Sequence, residues 1–216
     1  TNRYGLESEW FAANKNDKEA TSLAEKYILE SLQQVAIAYH VKAQESNDPS
    51  DYLLAARKYV EYLDRYPFAP NAYELNFYLA ECYFWTADLQ FKDSTGEWTN
   101  GWEQSIVQYA SLFGFPETEF QKQAILGIMF SHKYLLEDAD RKIEDTPEAL
   151  ANIKPPLGET IEFATVDIED LEQNYVRSVR WVQREYPDFD NMAGLLFDIG
   201  EIYYYKNHLG RARATF

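Results

Sequence analysis

Residues 65–85 read RYPFAPNAYELNFYLAECYFW, and residues 185–205, 120 positions later, read EYPDFDNMAGLLFDIGEIYYY. Seven of the 21 positions are identical: Tyr66/Tyr186, Pro67/Pro187, Asn71/Asn191, Leu75/Leu195, Phe77/Phe197, Glu81/Glu201 and Tyr83/Tyr203. Leu79/Ile199, Ala80/Gly200 and Phe84/Tyr204 exchange like for like. Proline, small and aromatic residues recurring at fixed spacing are the mark of a helical repeat array. The tyrosine before each proline is biased out of the helical region, so a helix ends there and the next begins a few residues on.

Reading outward from that stretch, apolar residues recur at steps of three and four. They predict helices over 21–45, 52–66, 71–88, 102–113, 118–138, 168–186 and 190–206, with a last helix beginning near Leu209. SNDPSD (46–51) is a predicted turn in which Pro49 stops the first helix and Ser50 or Asp51 caps the second. Residues 1–20 form a polar lead-in that lays Trp10 and Phe11 onto the first helix. QFKDSTGEWTNG (90–101) reads as a polar loop. Residues 139–167 hold three prolines and no sustained helical period, and TIEFATV within them alternates enough for a short strand or extended segment. So long an insert reads as a lid, a self-ligand, a contact with another chain, or a plain surface excursion.

Composition narrows the function. The net charge of -16 repels phosphate backbones and disfavours polybasic attraction to anionic lipid, so nucleic acid and membrane surface are poor partners and a basic or neutral one is easier to accommodate. No run of 18 apolar residues is present, so no membrane span is expected. The single cysteine, Cys82, can form neither an internal disulfide nor a metal site alone, and reads as a core residue. The chain opens on Thr1 and stops at Phe216 inside an apparent helix, which reads as a mature or trimmed piece of a longer protein.

These residues resemble the tetratricopeptide repeat, a helix-turn-helix unit of 34 residues. Ala55, Tyr59, Tyr62 and Pro67 stand at the spacing of that family's second helix, although Tyr62 replaces its usual small residue. Asn76, Leu79, Ala80 and Tyr83 match the next first helix, with Asn76 where the family has a large apolar residue. Leu196, Ile199, Gly200, Tyr203, Ala212 and Phe216 match the last unit, Leu126, Gly127 and Phe130 a third, and Leu32, Val35, Ala36 and Tyr39 the first. The resemblance implies an all-α, right-handed superhelical array with two loop insertions, in about four units (21–67, 71–116, 118–187 and a truncated 190–216). The small residues Ala36, Ala80, Gly127 and Gly200 would let paired helices touch. The link from Pro67 to Leu79, and from Pro187 to Ile199, is three residues longer than the family pattern. In this it resembles repeats of bacterial cell-envelope proteins: the outer-membrane assembly lipoprotein, TolA-binding and gliding-motility repeat proteins. Such lipoproteins carry an anchoring cysteine at the mature N-terminus, which this chain lacks.

In that family the first helices line a concave groove that reads a peptide or a partner helix. The resemblance places Glu74, Phe77, Glu81, Phe84 and Trp85 there in the second unit, and Gly194, Phe197, Glu201, Tyr204 and Tyr205 in the fourth. The first unit offers Gln33, Ile37, His40 and Val41, and the third Ala124, Ile128, Ser131 and His132. Aromatics at such positions give contact area at low entropic cost, and the glutamates can pair with lysine or arginine. The plainer alternatives are that the phenylalanines pack between units and that Glu81 and Glu201 sit on a solvated helix face.

Catalysis finds no motif: HExxH, CxxC, GxSxG and phosphate loops are missing, and His40, His132 and His208 are scattered. Asp138/Asp140 and Asp188/Asp190 read as caps or solubilising charges, and no cofactor or metal is expected. The sequence therefore predicts a non-enzymatic scaffold that binds a protein or peptide segment, basic or neutral, in an acidic-aromatic groove. Its expected place is a complex of the bacterial periplasm or envelope; the alternatives are a cytosolic adaptor and a regulatory repeat domain of a larger enzyme.

Overall fold

The structure, a computed structural model, describes residues 8–144 and 165–216 and is all-α apart from one small hairpin. The chain divides into two compact units, Thr1–Glu117 and Thr118–Phe216. The first holds α1 (Glu9–Ala13), α2 (Lys18–Ser46), α3 (Pro49–Arg65) and α4 (Ala72–Thr86), then strands β1 (Phe91–Lys92) and β2 (Trp98–Thr99), and α5 (Gly101–Ser111). The second holds α6 (Gln121–Glu144), α7 (Asp170–Glu185), α8 (Met192–Tyr205) and α9 (Leu209–Thr215). Within each unit successive helices pack on one another: α2 on α3, α3 on α4 and α4 on α5, then α6 on α7, α7 on α8 and α8 on α9.

The repeated stretch adopts the same backbone twice. Tyr66 and Tyr186 close their helices with near-identical torsions, φ -132°, ψ 58° and φ -136°, ψ 66°. Each donates its N–H four residues back, to Tyr62 and Val182, and each accepts from the residue three on, Ala69 and Phe189. Ala72 and Met192 then donate to Ala69 and Phe189, and Leu75 and Leu195 to Asn71 and Asn191. The proline after each tyrosine has no N–H to place, so the turn satisfies its backbone with no side chain between Pro67 and Pro70 required.

The small residues Ala36, Ala80, Gly127 and Gly200 are all buried. A Cβ at Gly200 would stand 2.5 Å from the Phe216 ring, so glycine there lets the aromatic ring lie against the α8 backbone. The core of the first unit is built from alanines and tyrosines, Ala55, Ala56, Tyr59 and Tyr62 of α3 against Leu75 and Leu79 of α4. That of the second is aliphatic, Val179 and Val182 of α7 against Leu195 and Ile199 of α8, with Ile125 and Met129 of α6.

Three expectations need correcting. Pro49 does not merely stop α2: Asn47 ends it in the left-handed region at φ 52°, Asp48 caps α3 through a bond from the Ser50 N–H, and Pro49 is the first residue of α3, where a missing N–H costs nothing. The 90–101 segment is a two-stranded hairpin with Phe91 opposite Thr99, turned by Gly96 at φ 88° and by Asp93, whose Oδ1 accepts the Thr95 and Glu97 N–H groups. Asn100 and Glu103 then form a reciprocal capping box that starts α5. Finally, α6 continues past 138 to Glu144, because nothing in ADRKIE breaks a helix. Residues 1–7 of the lead-in and 145–164, with most of the expected insert and of TIEFATV, lie outside the described residues. Residues 165–169 have no regular structure, and Val166 donates to the Lys206 carbonyl across 2.9 Å.

Candidate functional site

α2 and α4 face each other across a cavity of about 300 Å³. Its lining includes Gln33, Ile37, His40 and Val41 of α2 and Glu74 and Glu81 of α4, six of the nine groove positions expected of the first two repeats; Phe77, Phe84 and Trp85 do not line it. Heptad spacing puts Glu74 and Glu81 on one face of α4, and the three- and four-residue steps of the α2 group do the same opposite.

The floor is aromatic. The His40 ring is buried and meets the rings of Tyr52, Tyr59 and Tyr78 edge-on at centroid distances of 6.1, 5.8 and 6.0 Å. Its Nδ1 lies 3.2 Å from the Tyr59 hydroxyl. Burial holds the imidazole below its ordinary pKa, favouring the neutral ring, and burial pushes the Tyr59 phenol far up. Tyr78 donates to Glu74 Oε1 across 2.7 Å. Glu81 has no such partner among the described residues, and burial alone raises its carboxyl from 4.5 to about 7. Trp85, 55% exposed, stacks on Tyr52 at 6.2 Å and meets Phe84 edge-on, extending the aromatic surface from the cavity to the end of α4.

The other expected groove residues are placed differently. Phe77 is 7% exposed and packs on Tyr78 and on Tyr109 of α5, inside its own expected repeat. Its counterpart Phe197 is 54% exposed and touches Phe216 at 5.5 Å. Tyr204 and Tyr205 are exposed and edge-on to each other, while Glu201 is half-buried. In α6, Ala124, Ile128 and Ser131 are buried, and the half-buried His132 keeps an Nδ1 with no hydrogen-bond partner among the described residues.

Sequence reasoning missed Gln44, Tyr59, Leu75 and Tyr78 as cavity residues. Gln44 is one helical turn beyond His40, a step that would have added it; the tyrosines are core and lining at once. Two larger hollows contain none of the expected groove residues. One, of about 680 Å³, lies among α3, α4, the hairpin and α5, and is lined by Arg57, Leu79, Lys92 and Gln108 among others. The other, of about 600 Å³, belongs to the second unit, where Arg177 bonds Gln173 and Arg211 lies over the Tyr203 ring. Cys82 is fully buried, with its thiol pushed up by burial. Among the described residues no group of three or more His, Cys, Asp and Glu side chains could hold a metal ion, and no helix is long and apolar enough to cross a membrane.

Comparison with protein-family models, with curated proteins and with solved structures finds no match for this chain.

Proposed function

We propose that the chain is a non-enzymatic binding scaffold of tetratricopeptide-like helix pairs, arranged as a right-handed superhelical array, which captures a basic segment of a partner protein on the α2–α4 face. The observation that carries this reading is that Gln33, Ile37, His40, Val41, Glu74 and Glu81, groove positions implied by the resemblance, line a single cavity whose two carboxylates meet no cation among the described residues. Rigid aromatic surface beside it, Trp85 stacked on Tyr52, fits an anchor that loses little entropy on binding. The lengthened Tyr-Pro link supports a place in a bacterial cell-envelope complex, where the resembling repeats occur.

The test is a cross-linked pull-down from native envelope extract, with wild type beside a Glu81→Lys, Trp85→Ala double variant whose helicity is matched by circular dichroism. Partners retained by wild type and lost by the variant support the groove. Partners retained by both refute it, and capture of no envelope protein by either removes the envelope assignment.

A further inference from the structure

We propose that the cavity between α2 and α4 receives the terminal ammonium of a lysine side chain carried by the partner, with the Glu81 carboxylate as its counter-ion. This rests on reading the α2–α4 face as the capture surface.

The cavity holds two carboxylates, Glu74 and Glu81, and no cation of a described residue answers either. Glu74 is already engaged by the Tyr78 hydroxyl at 2.7 Å. The Glu81 carboxylate takes no hydrogen bond or ion pair from a described residue. The titratable groups around it are His40 from α2, Tyr52 and Tyr59 from α3, Glu74, Tyr78 and Cys82 from its own helix, and Tyr109 from α5. None of them is cationic, since burial favours neutral His40. Lys42 and Lys58 are held elsewhere, on Asp51 and Glu61. A half-buried carboxylate without a cation is unfavourable alone and becomes favourable when a ligand brings one.

The shape of the lining selects the cation. Ile37, Val41 and Leu75 supply aliphatic wall for a four-carbon stem, and Tyr59 and Tyr78 supply ring surface that attracts an ammonium. Further acceptors are the side-chain amides of Gln33 and Gln44 on α2 and the second carboxylate oxygen of Glu74 on α4. Dispersed acceptors suit the three donors of an ammonium, whereas a guanidinium fork wants one carboxylate presented squarely to both its prongs.

The experiment is a titration of the full chain, isotopically labelled at methyl groups, with Nα-acetyl-lysine methylamide at about pH 8, following the Ile37 and Val41 methyls by NMR. The expected result is a saturable shift at both methyls. Nε-acetylation of the probe, or its replacement by Nα-acetyl-arginine methylamide, should weaken binding about tenfold or more, and Glu81→Gln should do the same, as loss of a desolvated charge pair implies. Lowering the pH to about 6 should weaken the lysine probe severalfold in wild type and leave the Glu81→Gln protein unchanged. Glu45→Gln, which removes an exposed carboxylate of α2 outside the cavity lining, should leave affinity unchanged and controls for net charge and folding. Equal shifts from the lysine and Nε-acetyl-lysine probes, or unchanged affinity in Glu81→Gln, would overturn the proposal. Tighter binding of putrescine than of the lysine probe would overturn it too, by giving the cavity to a free amine. If the lysine probe fails while groove-dependent capture of a partner persists, this inference falls and the scaffold reading stands. If the probe binds while capture ignores the groove variants, the scaffold reading falls, and the ammonium preference survives without a partner as its source.

Discussion

The two Tyr-Pro links share a backbone, yet the units around them treat charge in opposite ways. In the second unit Asp198 of α8 accepts from Lys133 of α6 at 2.6 Å and from the Tyr175 hydroxyl of α7 at 2.9 Å, so one carboxylate ties three helices together. At the position corresponding to Asp198 the first unit has Tyr78, whose hydroxyl goes to Glu74, and no described residue bonds or pairs with the nearby Glu81 carboxylate. The second arrangement supports the fold. The first leaves electrostatic free energy unspent inside an open cavity. Four paired substitutions would break or sharpen this contrast.

The largest effect is expected at the start of α5. A Cβ on Gly101 would collide with the Tyr83 and Ala87 backbone, whereas one on Gly210 of α9 meets nothing within 4 Å. Gly101→Ala should therefore cost about 3 kcal/mol, the upper end of over-packing. Gly210→Ala should be neutral or stabilise by about 0.5 kcal/mol through helix propensity. Urea denaturation of both variants measures the difference.

Next come the two asparagines. Asn71 Oδ1 accepts from the buried Tyr62 hydroxyl at 2.7 Å, but Asn191 faces a unit in which valine, Val182, stands at the position of Tyr62. Asn71→Ala should cost about 2 kcal/mol by stranding that hydroxyl, and Asn191→Ala under about 0.5 kcal/mol. Equal losses would mean that the turn itself, rather than the tyrosine, needs the amide.

Opposite signs are expected at the two carboxylates. An unfolded glutamate titrates near 4.5 and Glu81 in the fold near 7, so the folded state binds the proton more tightly. Below 4.5 both states are protonated and the charge costs nothing; the cost grows as pH rises through 7 and is complete by about pH 8. That difference amounts to about 3 kcal/mol, which partial solvent screening reduces to about 2 kcal/mol. Glu81→Gln should therefore stabilise by about 2 kcal/mol at pH 8 and change nothing at pH 4. Asp198→Asn should destabilise at pH 8 by about 1 kcal/mol, since its bond to Lys133 is charge-assisted but a third exposed. Chemical melts at the two pH values read both.

The smallest effect concerns the residues that follow α4 and α8. Ala87 is held at φ 55°, ψ -131°, a region suited to glycine, while Asn207 takes φ 61°, which asparagine tolerates. Ala87→Gly should stabilise by about 1 kcal/mol and Asn207→Gly by only a few tenths, visible as a difference in Tm.

Most of the helical plan was legible because it is written in local chemistry. Proline after tyrosine, asparagine before the next helix and small residues at Ala36, Ala80, Gly127 and Gly200 act within a turn or at one contact, and one sequence displays them. The hairpin was legible in hindsight from Asp-Ser-Thr-Gly between Phe91-Lys92 and Trp98-Thr99, since Asp93 and Gly96 are turn residues; its polarity concealed it. The candidate site was half legible. Helical spacing grouped Glu74 with Glu81 and Gln33 with Ile37, His40 and Val41, but spacing along one helix cannot say which side chain on another helix is near. The pairing of Tyr78 with Glu74 is local, whereas the joining of Lys133 to Asp198 spans 65 residues and leaves no trace in either segment. The same limit hid the different fates of Phe77 and Phe197, identical in sequence and opposite in exposure.

The Tyr-Pro link also has a consequence for how such a chain can be remade. Its hydrogen bonds run from backbone to backbone, matched one for one in the two copies. A crossover falling between residues 67 and 70, or between 187 and 190, would join two correctly spaced helix ends whatever lies on either side. The links are thus natural cut points for recombination: an exchange made there would shuffle cavities and charges as cassettes, and leave the turn that holds them unaltered.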